Sequence, residues 1–176
     1  MRVYLPGNLS EKMTISLTGF MGCGKSSTGR SLAERLGARF VDLDAEIVAR
    51  TGRTIPEIFL EGGEAAFRAV ELETLRSVLD EASAGGTTVL ALGGGALTDP
   101  EARDLVLSQS DCVWLRTRLE TIRERLGEAD GSRPLFADAE TLFERRAPIY
   151  AQAPHIVDTD GKTPAEVAGE IAAILF

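Results

Sequence analysis

The 176-residue chain is short of the residues that build disulfide, zinc and imidazole chemistry, with two cysteines, Cys23 and Cys112, and one histidine, His155. The cysteines lie far apart and form no C-x-x-C pair, which argues against a disulfide framework or a zinc site and fits a reducing cytoplasm. His155 opens the run HIVDT and is read as a strand-end residue without an acid–base role. No apolar run reaches the roughly 18 residues of a membrane helix, and MRVYLPGNLSEK lacks the apolar centre of a signal peptide, so no membrane partner is expected. Basic residues are also in deficit. With 19 Lys and Arg against 27 Asp and Glu, the formal charge of −8 repels nucleic acid and anionic lipid at long range. An anionic substrate must therefore meet a local cluster of Arg or Lys.

The remaining composition, 44% hydrophobic and 26% charged, suits one globular domain with a sizeable core. Residues 1–12 are expected to form a flexible extension and residues 13–176 a single domain. Nothing in the sequence demands a second chain, so a monomer is expected. Short β-rich runs alternate with helical ones: TISLT then KSSTGRSLAERLG; RFVDL then DAEIVARTG; EAAFRAVELETLRSVLDEAS then TTVLAL; DCVWLR then RLETIRERLG; HIVDT then PAEVAGEIAAILF. Five strands interleaved with helices predict an α/β fold, a parallel sheet with helices on both faces and its ligands at the carboxyl ends of the strands. GEADGSRPLFAD (Gly127 to Asp138) has no periodicity and reads as a lid or a solvated loop.

LTGFMGCGKSS carries the full phosphate-loop pattern, with four residues between Gly19 and Gly24 and then Lys25 and Ser26. Gly22 and Gly24 would let the backbone curl its amides around phosphates at the start of a helix. Lys25 would reach the β and γ phosphates, and Ser26 would offer its hydroxyl to Mg²⁺. Cys23 either gains thiolate character from Lys25 and the helix start or simply fills a slot where only the backbone matters. The strand ends VLAL and CVWL supply no Asp for the metal. VDLD is the substitute: at a spacing of two, Asp42 and Asp44 would emerge on one side of a strand while Leu43 turns to the core. One carboxylate would serve the metal and the other an acceptor hydroxyl; alternatively, Asp44 caps a helix and Asp42 is merely exposed.

Taken together, GFMGCGKSS, FVDLDAEI, TGRTIPEIFLEGGEAAFRAVE, LGGGAL, SRPL and ERRAPIY make the chain resemble the shikimate kinases from about Met13 to its end. The resemblance implies a phosphate-loop fold like that of nucleoside monophosphate kinases. It also implies MgATP-dependent phosphorylation of the 3-hydroxyl of shikimate, in the chorismate route to aromatic amino acids. By it, Asp44, Arg68, Gly94 and Arg146 bind shikimate. Gly22, Cys23, Gly24, Lys25, Ser26, Ser27 and Arg133 hold ATP, Ser26 and Asp42 organise Mg²⁺, and Lys25, Asp44 and Arg133 carry the chemistry. Ser27 stands where threonine is frequent in the family, and Lys162 where an arginine often lies against adenine; Arg125 is the candidate for the adenine's other side. Arg68 also has Glu64 and Glu71 within one turn and could pair with them on a wet face. Arg145 and Arg146 cannot both face inward, and the alignment selects Arg146. Pro148 is expected to interrupt that helical stretch. The rival readings are a kinase of gluconate or of nucleoside monophosphates, and a nucleotide-binding regulatory module without catalysis.

Overall fold

The computed structural model describes residues 13–127 and 139–176. The expected extension (1–12) and most of the expected lid, Arg133 included, lie outside the described residues. The strands are β1 (Thr14–Thr18), β2 (Arg39–Asp42), β3 (Thr88–Ala91), β4 (Asp111–Arg116) and β5 (His155–Asp158). They form one parallel sheet in the order β2-β3-β1-β4-β5. Its central strand, β1, is buried along its whole length, as a strand covered on both faces must be.

The helices are α1 (Lys25–Leu36), α2 (Leu43–Thr51), α3 (Ile55–Ala84), α4 (Pro100–Gln109), α5 (Leu119–Gly127), α6 (Ala139–Tyr150) and α7 (Pro164–Leu175). Period-two alternation divides the core into two layers. In β4, Cys112 and Trp114 pack with Leu75 and Val78 of α3 and Val106 of α4. Val113 and Leu115 face the other way, onto Leu32 of α1 and Ile171 of α7. Local chemistry sets the boundaries. Gly37 ends α1 in the left-handed conformation, with its N–H turned back to the Ala33 and Glu34 carbonyls. Thr54 with Glu57 and Thr163 with Glu166 form capping boxes at the starts of α3 and α7.

Three expectations need correction. VDLD does not leave the sheet as a strand: β2 stops at Asp42, whose side chain accepts the Ala45 N–H, and Leu43 opens α2. The cap is thus Asp42 rather than Asp44, and Asp44 stands in the first helical turn. Pro148 does not interrupt α6. Its missing N–H would have met the Glu144 carbonyl, one turn back, and both residues lie on the exposed side of the helix; the Ala151 N–H still reaches the Ala147 carbonyl at 3.0 Å. The long helix starts at Ile55, nine residues before the run EAAFRAVELETLRSVLDEAS suggested. DPEARDLVLSQ, given no element from the sequence, is α4, capped by Asp99 with Pro100 in the first turn.

α3 is bent rather than straight, because Gly63 has φ 68° and ψ −166°, a conformation open essentially to glycine alone. The bend lets Phe59 stack on Phe67 at 4.7 Å, and Phe67 directly precedes Arg68. A Cβ at Gly63 would meet nothing within 4 Å, so the requirement is purely one of backbone. Gly63→Ala is accordingly expected to cost about 1–3 kcal/mol and lower Tm by several degrees in thermal denaturation. An unchanged Tm would show that the bend does not depend on positive φ.

Candidate active site

The phosphate loop leaves β1 and enters α1. Gly22 and Gly24 both hold positive φ, 75° and 97°, and Gly24 is the residue from which α1 starts. The Lys25 ammonium donates to the Gly19 and Phe20 carbonyls at 2.9 and 3.0 Å, folded back over its own loop. Cys23 is buried, with Sγ packed against Gly19 and 3.8 Å from the Lys25 ammonium, which donates to it. Ser27 is exposed at the start of α1, on the rim of the same cleft.

Beside the loop lies a cleft of about 310 Å³ lined by Lys25, Ser26, Asp42, Asp44 and Gly94 among others. Ser26 Oγ donates to Asp42 Oδ2 at 2.5 Å. This hydroxyl–carboxylate pair next to a phosphate loop is a hard-oxygen donor set suited to Mg²⁺, which takes one or two protein ligands and completes its shell with phosphates and water. Among the described residues no cluster of three or more His, Cys, Asp or Glu could hold a metal unaided. Asp44 is driven above the ordinary carboxylate range, first by burial and then by the Asp42 charge, with Lys25 and Arg68 pulling the other way. The two carboxylates do share one cleft, as the sequence suggested. The cause is a helix start that turns Asp44 back toward Asp42, not strand alternation.

The triple-glycine loop leaves β3 alongside. A Cβ on Gly94 would stand 3.5 Å from the Met21 nitrogen and 3.7 Å from the Gly19 carbonyl oxygen, so the two glycine loops run in close contact. On Gly95 a Cβ would strike the Arg68 guanidinium and lie 3.1 Å from Nη2 of Arg146. Two cations from different helices thus converge on one glycine. Arg68 pairs with Glu71 and, at 3.7 Å, with Glu64, yet its side chain is only 18% exposed, so the expected wet-face pairing is present on a face that is largely covered. Arg146 faces inward while Arg145 is exposed. The Nε of Arg146 is buried without a hydrogen-bond partner among the described residues.

Sequence reasoning undervalued Glu71, which is almost wholly buried between Arg68 and Gly93. Burial raises its proton affinity and the Arg68 charge opposes that. A signal was present, since Glu71 falls in register with Phe67, Leu75 and Val78 on the buried stripe of α3. An acid on such a stripe needs a buried cation.

A second cleft, about 430 Å³, opens on the other side of the phosphate loop between Arg125, Leu126, Lys162, Pro164 and Val167. Arg125 donates to the Gly22 carbonyl at 3.2 Å, and Lys162 is tied to Glu170 at 2.7 Å. Arg125 and Lys162, the two residues the resemblance places beside adenine, therefore border one space. His155 begins β5 with Nε2 4.0 Å from Asp111, away from both clefts. No helix among the described residues is long and apolar enough to cross a membrane.

A family model described as shikimate kinase matches residues 21–175. A shikimate kinase of Thermus thermophilus is 44% identical over 168 residues, covering 92% of this chain and 89% of that one. That of Persephonella marina is 41% identical over 161 residues, 89% of this chain and 95% of its own. Among solved structures, the shikimate kinase from Acinetobacter baumannii in complex with shikimate is similar with a TM-score of 0.83 at 34% identity, over 93% of this chain and 92% of that one. The matched span, residues 21–175, takes in Lys25, Ser26, Asp42, Asp44, Arg68, Gly94 and Arg146, and this chain belongs to the shikimate kinase family.

Proposed function

We propose that this protein transfers the γ-phosphoryl group of ATP to the 3-hydroxyl of shikimate, giving shikimate 3-phosphate and ADP. The observation that carries the reading is the convergence of Arg68 and Arg146 on Gly95 in a chain of net charge −8. Two guanidinium groups so placed are built to receive a carboxylate, and Arg146 Nε still lacks an acceptor among the described residues. Shikimate supplies that carboxylate on a small hydroxylated ring.

ATP lies with its phosphates in the Gly22–Gly24 loop and its nucleoside in the cleft between Arg125 and Lys162. On binding, Lys25 exchanges the Gly19 and Phe20 carbonyls for phosphate oxygens. Ser26 and Asp42 hold Mg²⁺, which supplies charge neutralisation along the phosphates when bound. Asp44 orients the acceptor hydroxyl and accepts its proton as the oxygen bonds to the γ-phosphorus and the bridging bond to the β-phosphate breaks. An acid whose burial favours its protonated form is suited to keep that proton. Glu71 holds Arg68 in place, and the apposed glycine loops bring donor and acceptor close enough for positioning to do most of the catalysis. Arg133, which the family likeness assigns to the phosphates, lies outside the described residues.

ADP release in a coupled assay with MgATP should be stimulated by shikimate and not by gluconate or nucleoside monophosphates; the reverse order would transfer the chain to a rival kinase class. ATP binding without stimulation by any acceptor would favour a regulatory module. Arg146→Ala is expected to raise the shikimate KM about 10- to 100-fold and leave the ATP KM nearly unchanged, as the loss of a charge-assisted contact implies.

Asp44 gives a pH signature. Its proton affinity is raised in the folded state, so in the metal-free protein its carboxyl, followed by NMR, should titrate with a midpoint above the ordinary aspartate value of about 3.9. The same shift means that ionised Asp44 costs stability at neutral pH, a cost that disappears as acid protonates it. Asp44→Asn should therefore raise Tm at pH 7 and abolish turnover, with the Tm advantage vanishing toward about pH 4. A variant less stable than wild type at pH 7 would contradict this account of Asp44.

A further inference from the structure

Arg146 and Tyr150 stand one turn apart on α6 and address the same glycine loop. That loop has no side chains of its own, so its orientation depends on where its carbonyls are held. The Gly93 carbonyl accepts the Ala96 N–H at 3.1 Å. The Gly95 carbonyl accepts the Thr98 N–H at 3.0 Å and the Thr98 hydroxyl at 2.6 Å. Between them, the Gly94 carbonyl accepts from the phenol of Tyr150.

Tyr150 is 1% exposed, so water cannot readily replace that donor. Its ring is set in the core beside Trp114, with centroids 6.1 Å apart. Burial, ahead of the opposing charge and side-chain hydrogen bond of Arg146, pushes the phenol up to about 12, which keeps the hydroxyl protonated and donating at neutral pH. The Gly94 carbonyl and the Gly95 N–H belong to one rigid peptide plane. Fixing the carbonyl therefore fixes the face of Gly95 that Arg68 and Arg146 approach.

We propose that Tyr150 is a positioning residue for the acceptor pocket: its hydroxyl locks the peptide between Gly94 and Gly95 in the orientation that lets Arg68 and Arg146 converge on one substrate carboxylate. The role rests on the shikimate reading given above and acts through that peptide, not by contact with the substrate. Nucleotide binding, on the far side of the phosphate loop, does not require it.

Tyr150→Phe removes the hydroxyl and keeps the buried ring. The expected result is a rise of about 5- to 20-fold in the shikimate KM, the scale of one lost buried hydrogen bond, with the ATP KM within about twofold of wild type. A residue that served only stability would lower Tm and move both KM values together or neither, and either pattern overturns the role. A second measurement does not depend on the variant folding. The chain has two tyrosines, Tyr4 and Tyr150, so 3-fluorotyrosine labelling gives two fluorine resonances, assigned with Tyr4→Phe. Saturating shikimate should move the Tyr150 resonance; a resonance that stays in place overturns the proposal. Wild-type protein without shikimate-dependent ADP release would remove the proposed reaction and this role with it. Wild-type activity combined with unaltered Tyr150→Phe kinetics would remove the role alone.

Discussion

Two guanidinium groups brought to one glycine is the arrangement on which the rest of the site depends. Like charges at that separation repel, and they are held there in a partly covered cleft where water screens them poorly. Two things offset the repulsion. Glu71, buried at the foot of Arg68, pairs with one of the two cations. The other, Arg146, keeps a buried nitrogen without an acceptor among the described residues, and an incoming carboxylate completes it. Unliganded, the pocket thus carries an electrostatic deficit that its substrate removes, which places binding energy where recognition is needed.

The sheet explains why this pocket lies beside the phosphates. β1 and β3 are adjacent and parallel, with Leu17 opposite Ala91, so the loops that follow them emerge together at the carboxyl edge. Both loops are rich in glycine and lie side by side, since a Cβ on Gly94 would be in van der Waals contact with the Met21 nitrogen and the Gly19 carbonyl oxygen. β2, paired to the far side of β3, ends at Asp42 and delivers the two acids into the same gap. Three consecutive neighbours in the sheet thereby supply the phosphate cradle, the acceptor platform and the acid pair. The helices α3 and α6 bring the cations from outside, one on a helix bent at Gly63 and the other one turn from the phenol that anchors the platform.

Much of this was legible in the chain because it is local. All five strands coincide closely with β-rich runs, and Lys25–Leu36 ends at the glycine the sequence marked. The phosphate loop, the acid pair and the two selected arginines were named from motifs. What escaped depends on contacts that sequence spacing does not encode. Asp42 and Asp44 share a cleft because α2 starts one residue after the strand, which only the capping geometry reveals. Pro148 sits inside a helix on its exposed side, as does Glu144 one turn back. Glu71 and Tyr150 matter through partners on the glycine loop, and for Tyr150 that partner lies 56 residues away. Stability is also given up at the site, since burying Asp44 and Glu71 disfavours their ionised forms at the pH where the acid pair must work.

The central claim is that Arg68 and Arg146 together hold one carboxylate next to the phosphate loop. A crystal structure of the protein with shikimate and a non-hydrolysable ATP analogue tests it most directly. The account requires both guanidinium groups on the shikimate carboxylate and a ring hydroxyl on Asp44, facing the terminal phosphate. Shikimate bound elsewhere, or either arginine turned out to solvent in the complex, would contradict it.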